Sequence, residues 1–317
     1  SQTPIVTDIH TVTGNTLNSR HVVTGNGVDT TAVLDGFTIT AGYAIGTQQE
    51  CYGGGMLNTN GSSPTLHDLV FTGNYAFGNG GGMYNEIASN PEMDDILFSN
   101  NNGNNGAGMS NSYSNPVLSN VTFTAHSGMY AGGGMSNFGS NPTLTDVIFR
   151  DNHVILDGGG MYNSGSNPVL TRVTFDNNSA IWTGFDGGDG GAIYNAGSSP
   201  ILQDVTITNN TSSDYGGGIS NRFSSNPVLT DVTLSGNVAN RLHGGGIYND
   251  ASSPVLLRVT LSGNTATNGS GGGIYNYKSN TTLTDVTIDD NTAQDYGGGI
   301  FNAGSYSEPS NPVLIRV

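Results

Sequence analysis

The chain is poor in most of the features that announce a function. It has one cysteine, Cys51, so no internal disulfide can form, and this residue reads as an ordinary free thiol in a loop. Only eight lysines and arginines stand against 24 aspartates and glutamates, a formal charge of −16 over 317 residues. That balance argues against nucleic acid or an anionic membrane as partner. No apolar run is long enough to span a bilayer, and no signal-peptide pattern is visible, so the sequence reads as a mature or trimmed product. The six histidines (His10, His21, His67, His126, His153, His243) lack metal-site spacing, and no nucleophile elbow or phosphate loop occurs. No stretch carries the ten or more periodic residues that a helix needs.

What is abundant is a repeat. GGGMYN (Gly80–Asn85), GGGMSN (Gly132–Asn137), GGAIYN (Gly190–Asn195) and GGGIYN (Gly244–Asn249) are four of ten copies whose closing Asn recurs about every 26 residues, with one longer step to Asn195. A period of this size marks a solenoid in which each repeat stacks on its neighbours. The segment NFGSNPTLTDVIFRDN (Asn137–Asn152) shows the rest of the unit. Gly to Asn forms a short strand with Met or Ile inward. Ser-Asn-Pro is a turn, because Pro fixes φ and Asn tolerates left-handed geometry. Leu144, then Val147 and Phe149, mark two short strands separated by a bend, and Asn152 closes a second turn. Three short strands and three corners per unit describe one coil of a parallel β-helix, about eleven coils and about 50 Å in length. The Gly run is expected where a Cβ would obstruct backbone packing. Met56, Met83, Met109, Met135 and Met161 should pile in one file that switches to Ile from Ile193. Phe71 to Phe175 should form a second file that switches to aliphatic residues at the same coil. The recurring Asn, Asn58 and Asn74 with their equivalents, should point inward and bond one another.

GGAI (Gly190–Ile193) paired with FTGN (Phe71–Asn74), FSNN (Phe98–Asn101), FRDN (Phe149–Asn152) and FDNN (Phe175–Asn178) resembles the polymorphic outer-membrane-protein repeats of the right-handed parallel β-helix superfamily. VLDGFTIT (Val33–Thr40) is similar to the first coil of many secreted pectin-lyase-like β-helices. The resemblance implies an all-β, right-handed parallel β-helix in a single domain over 1–317. Residues 1–52 are its opening coils, 53–302 its regular repeats and 303–317 an incomplete last coil. Surface adhesins, large extracellular repeat proteins and polysaccharide lyases or hydrolases share this fold, so the resemblance implies an extracellular or cell-surface protein.

Four features carry the functional expectations. The slot four residues after Pro holds a charged column: Asp68, Asp95, Asp146, Arg172, Asp204, Asp231, Arg258, Asp285 and Arg316 among others. It reads as a solvated charge ladder, with Arg172 between Asp146 and Asp204; catalysis through Asp204 or Asp231 is the alternative. Asp68 beside Asp95 offers Ca²⁺ two carboxylates, too few for a cage, so no cofactor is expected. The position between Met or Ile and the closing Asn carries Tyr162, Tyr194, Tyr248, Tyr275 and Phe301. It reads as an outward aromatic stripe, a contact surface for a glycan or protein. Insertions break the period at 45–52, 180–189 and 303–310, and Trp182 and Phe185 in the second could stack on a sugar ring. Finally, the Pro–Leu–Val phase opens the chain at Pro4 and closes it at Pro312 and Leu314. A head-to-tail neighbour would place its Asp8 beside Arg316, which already faces Asp285, and such stacking gives a filament. The expected function is thus a non-enzymatic structural or adhesive rod that stacks on itself or meets a surface glycan or protein. A carbohydrate-active enzyme or glycan-binding module is the alternative.

Overall fold

The computed structural model describes residues 18–184 and 187–317, and within them the coils lie over one another in register. One sheet of the described residues has eleven strands, Val23–Asn26 and then the ten that follow the Gly runs, from Met56–Thr59 through Met135–Phe138 to Ile300–Ala303. Every pairing in it is parallel, and Met109 pairs with Met135 and Met135 with Met161. The file continues from Met161 to Ile193 and Ile219 as expected.

The second sheet carries the Leu and Phe files. Leu118, Leu144, Leu170 and Leu202 are register partners in succession. Phe71, Phe98, Phe123, Phe149 and Phe175 stack face to face, with centroids 4.6–4.9 Å apart and planes within 10°. Those spacings are the inter-strand distance of a sheet, so the rings follow the backbone ladder. The bend within this sheet sits at Asp68, Asp95, Asp146 and their equivalents, each left-handed with φ near +50°. Asp and Asn tolerate that region better than other side chains, which explains their prevalence at this slot.

A third sheet was not foreseen. Ten short strands, including Tyr75–Asn79, His153–Val154, Thr211–Ser212 and Thr265–Ala266, follow the second Asn corner. Their inward residues are small: Ala44, Ala76, Ala180, Ser212, Ala239 and Ala266 are all buried. Most of these strands have two residues, too few for alternation to be visible in a sequence. The coil therefore has this short strand in addition to the three expected.

The core is a thin apolar column in which the Met/Ile, Leu, Val and Phe files join into one cluster. The Gly runs let the walls close on it. A Cβ on Gly159 would lie 2.3 Å from the Gly191 carbonyl oxygen, and one on Gly160 would lie 2.7 Å from the Phe175 ring. The first Gly of each run is left-handed, +70° at Gly158, and turns the chain into the sheet.

Buried amides hold the corners. Asn85, Asn111, Asn137, Asn163 and Asn195 each accept from the Asn of the preceding coil, at 2.8–2.9 Å. The second corner has the same device from Asn152 through Asn178 and Asn210, and each Asn Nδ2 also donates to a Phe carbonyl. Beside the first ladder runs a buried Ser ladder, in which the Ser140 amide donates to Ser166 Oγ and the Ser166 amide to Ser198 Oγ. A long interior of polar side chains is tolerable because each finds the same partner one coil away.

Candidate functional site

The charged column lies on the outer surface, and three of its carboxylates, Asp146, Asp231 and Asp285, are each held by an arginine. Arg172 grips Asp146 with two bonds of 2.7 Å, Arg258 grips Asp231 at 2.6 and 2.7 Å, and Arg316 grips Asp285 in the same way. Each arginine reaches back to the preceding coil; Arg172 does not divide itself between Asp146 and Asp204. The two-pronged contact fixes the guanidinium on Asp146 through its Nε and Nη2 edge, which leaves Asp204 the longer-range partner. The arginines hold Asp146, Asp231 and Asp285 below the usual carboxylate range, chiefly through these hydrogen bonds. Asp231 also accepts from Gln203 at 3.0 Å. Carboxylates held ionised and clamped are poor proton donors.

On the Leu–Phe sheet, His67 Nδ1 lies 3.1 Å from Asp35, and its Nε2 is 3.8 Å from both Asp94 and Asp95. The His67 pKa is raised, first by the hydrogen bond to Asp35. One ligand atom each from His67, Asp94 and Asp95 falls within 4.8 Å of the others. Asp68, the partner expected for Asp95, is not one of the three. His67 and Asp95 are exposed and Asp94 half-buried, and His67 and Asp94 line a shallow hollow of about 330 Å³ with Thr65, Glu92 and Ser119.

The aromatic stripe lies on the face of the Gly-run sheet opposite the core files, but that face is covered rather than open. Tyr84, Tyr194, Tyr248 and Tyr275 are buried, and Tyr162 and Phe301 are half-buried. The loops that lead into the Gly runs fold over the column. Tyr52 lies on Tyr84 at 4.8 Å, Tyr215 on Tyr248 at 4.3 Å and His243 on Tyr275 at 4.3 Å. Burial pushes the Tyr84 phenol up to about 12. These rings support the sheet and are not an open contact surface. The column is interrupted by serine at Ser110, Ser136 and Ser220, in register with the neighbouring tyrosines.

The insertion at 180–189 is bolted to the coils that follow it. The Trp182 amide donates to Ser213 Oγ at 2.9 Å and the Gly187 amide to Asp214 Oδ2 at 3.1 Å. Arg241 Nε donates to Asp214 at 2.7 Å and its Nη1 to the Gly184 carbonyl. Trp182 is half-buried beneath these contacts, and Phe185 lies outside the described residues. Nearby, Asp189 pairs with Arg222 at 2.8 Å, both largely removed from solvent. Burial raises the Asp189 carboxyl to about 7, against the pull of Arg222. The repeat pattern gave no hint of this network. Its signal was that two of eight cations fall on the two coils after the longest insertion.

At the C-terminal end of the described coils, Val313–Ile315 pairs with Thr282–Thr284 on one edge. Leu314 is 50% exposed where its register partner Leu283 is 0%. Pro312 is half-buried, whereas Pro4 and Asp8 lie outside the described residues.

Neither the curated proteins nor the solved structures yield a match to this chain. Residues 174–311 match the family model described as a right-handed beta helix region, and the same coil runs through the remaining described residues, so the fold is a parallel β-helix solenoid.

Proposed function

We propose that this β-helix is a non-enzymatic structural rod, working outside the cell or at its surface and extended by head-to-tail stacking of copies. The observation that carries the reading is the register: strands pair in parallel, residue for residue, from Val23–Asn26 to Ile300–Ala303, so each coil presents the edge on which the next one stacks. An uncovered sheet edge in register with an apolar file is a template for another parallel strand. The Asp–Arg clamps support the non-catalytic part of the reading, since they hold Asp146, Asp231 and Asp285 ionised, although Asp204 has no such clamp among the described residues.

Negative-stain electron microscopy across a concentration series of the full chain tests the stacking. Rods whose length grows with concentration in multiples of about 50 Å are expected. Uniform single-length rods at the highest concentration would contradict it. Release of reducing ends or unsaturated uronides from a polysaccharide panel would contradict the non-enzymatic part.

A further inference from the structure

We infer that the two-coil gap in the aromatic column, at Ser110 and Ser136, is a binding site for a single uncharged pyranose ring. The inference goes beyond the rod reading and does not depend on stacking.

The column places an aromatic ring over the Gly-run sheet in most coils. Serine replaces it once at Ser220 and twice in succession at Ser110 and Ser136. The single gap is filled by the protein itself. Arg222 lies 4.7 Å from the centroid of Tyr215 and 5.4 Å from that of Tyr248, and is anchored by Asp189. The double gap has no such plug. It remains a cavity of about 250 Å³ with Tyr162 at one end, Phe138 at its side, and Asn79 and Asn105 opposite.

Two further observations point to a ligand. Ser110 and Ser136 are 4% and 7% exposed, yet neither hydroxyl has a hydrogen-bond partner among the described residues, and both line the cavity. Asn105 Nδ2 donates to Asn79 Oδ1 at 2.8 Å, which leaves an amide donor on Asn79 and an amide acceptor on Asn105. Hydroxyls at a cavity wall without a protein partner are free to bond the polar rim of a ligand.

The chemistry of the walls selects the ligand. Tyr162 stacks on Tyr194 with one face, at 5.3 Å and 4°, and its register partner on the other side is Ser136, so its second face looks into the gap. Phe138, 52% exposed, is held edge-on by Tyr113 at 5.3 Å. An aromatic face attracts the polarised C–H bonds on the apolar side of a sugar ring, and hydroxyls and amides complement its rim. Amides, hydroxyls and rings line the cavity without an ionisable acid or base other than the Tyr162 phenol, which disfavours uronates and phosphates. The volume is below that of a pocket for a drug-sized molecule and suits one ring.

The test uses saturation-transfer NMR on the full chain with the methyl pyranosides of glucose, galactose, mannose and N-acetylglucosamine as probes. At least one should receive transfer, with a millimolar Kd. The double variant Ser110→Tyr/Ser136→Tyr restores the column that neighbouring coils already tolerate, and should weaken binding at least about tenfold with an unchanged melting temperature. If that variant does not fold, Tyr162→Leu decides, and loss of transfer is again the expected result. No transfer to any probe overturns the inference, as does transfer unchanged in whichever of these variants folds. Cleavage of a bound glycoside would leave the pocket standing and overturn the non-enzymatic reading instead.

Discussion

His126 interrupts the second Asn ladder and shows what one residue contributes to this interior. Its Nδ1 accepts from the Asn101 amide at 3.0 Å, its own amide donates to Asn152, and its Nε2 is buried without a hydrogen-bond partner among the described residues. Burial lowers its pKa to about 3. The unfolded chain takes up this proton near pH 6.5 and the folded chain does not. The contribution of a neutral His126 is therefore complete above about pH 6.5 and declines as pH falls toward 3, by up to about 5 kcal/mol. His126→Asn supplies an amide Nδ2 that can donate to the Phe98 carbonyl, as Asn152 does to Phe123. Urea midpoints at pH 7 and pH 4 should converge in that variant relative to the parent; an unchanged gap would place the acid sensitivity elsewhere. The substitution itself is visible in the sequence as FTAH (Phe123–His126) where other coils have Phe-x-x-Asn. Its consequence was not, because only the closed coil shows that the imidazole is fully enclosed.

Among elements, the Gly runs decide whether coils can stack. Gly191 faces the Gly217 carbonyl oxygen, 2.3 Å from where a Cβ would stand, and the Thr211 amide nitrogen at 2.6 Å. Gly165 also belongs to the repeat but has nothing within 4 Å of its Cβ position and a φ of +56°. Gly165→Ala should cost about 1–2 kcal/mol, the ordinary penalty of left-handed backbone. Gly191→Ala should prevent a cooperative melt or lower it far more, because two backbones must separate; equal thermal shifts in the two variants would contradict the packing described. The Met, Leu and Phe files and both Asn ladders were legible in the sequence, since a residue type kept at one phase needs a like neighbour. The cover over the aromatic stripe was not legible. Alternation placed Tyr194 and Tyr248 on the outer face of the sheet, but that face is roofed by loops whose path no periodicity encodes. The short third sheet escaped for a related reason, its two-residue strands being shorter than one period of alternation.

At the scale of the molecule, the solenoid is nearly one-dimensional, so each coil depends on its immediate neighbours and little else. Departures from regularity are then the informative places. The doubled Ser110 and Ser136, the 180–189 insertion with its Arg241 and Asp214 clamp, and the His67 cluster each occupy two or three coils and leave the ladders through them intact. Their positions are readable from the sequence as breaks in a pattern. Whether a break becomes a cavity, as at Ser136, or is refilled, as Arg222 does at Ser220, depends on side chains from other coils and requires the folded molecule.

The central claim is that like residues meet from coil to coil, and disulfide trapping tests it most directly. Thr206 and Thr233 are exposed register partners on adjacent coils of the Leu–Phe sheet, and Thr287 continues the same file two coils beyond Thr233. Neighbouring strands lie about 4.8 Å apart, within the Cα separation that a disulfide spans, whereas three coils exceed it. Thr206→Cys/Thr233→Cys should oxidise to an intramolecular disulfide under mild conditions, and Thr206→Cys/Thr287→Cys should remain reduced. Failure of the first pair to close, or equal closure of the second, would contradict the stacking from which every other conclusion follows.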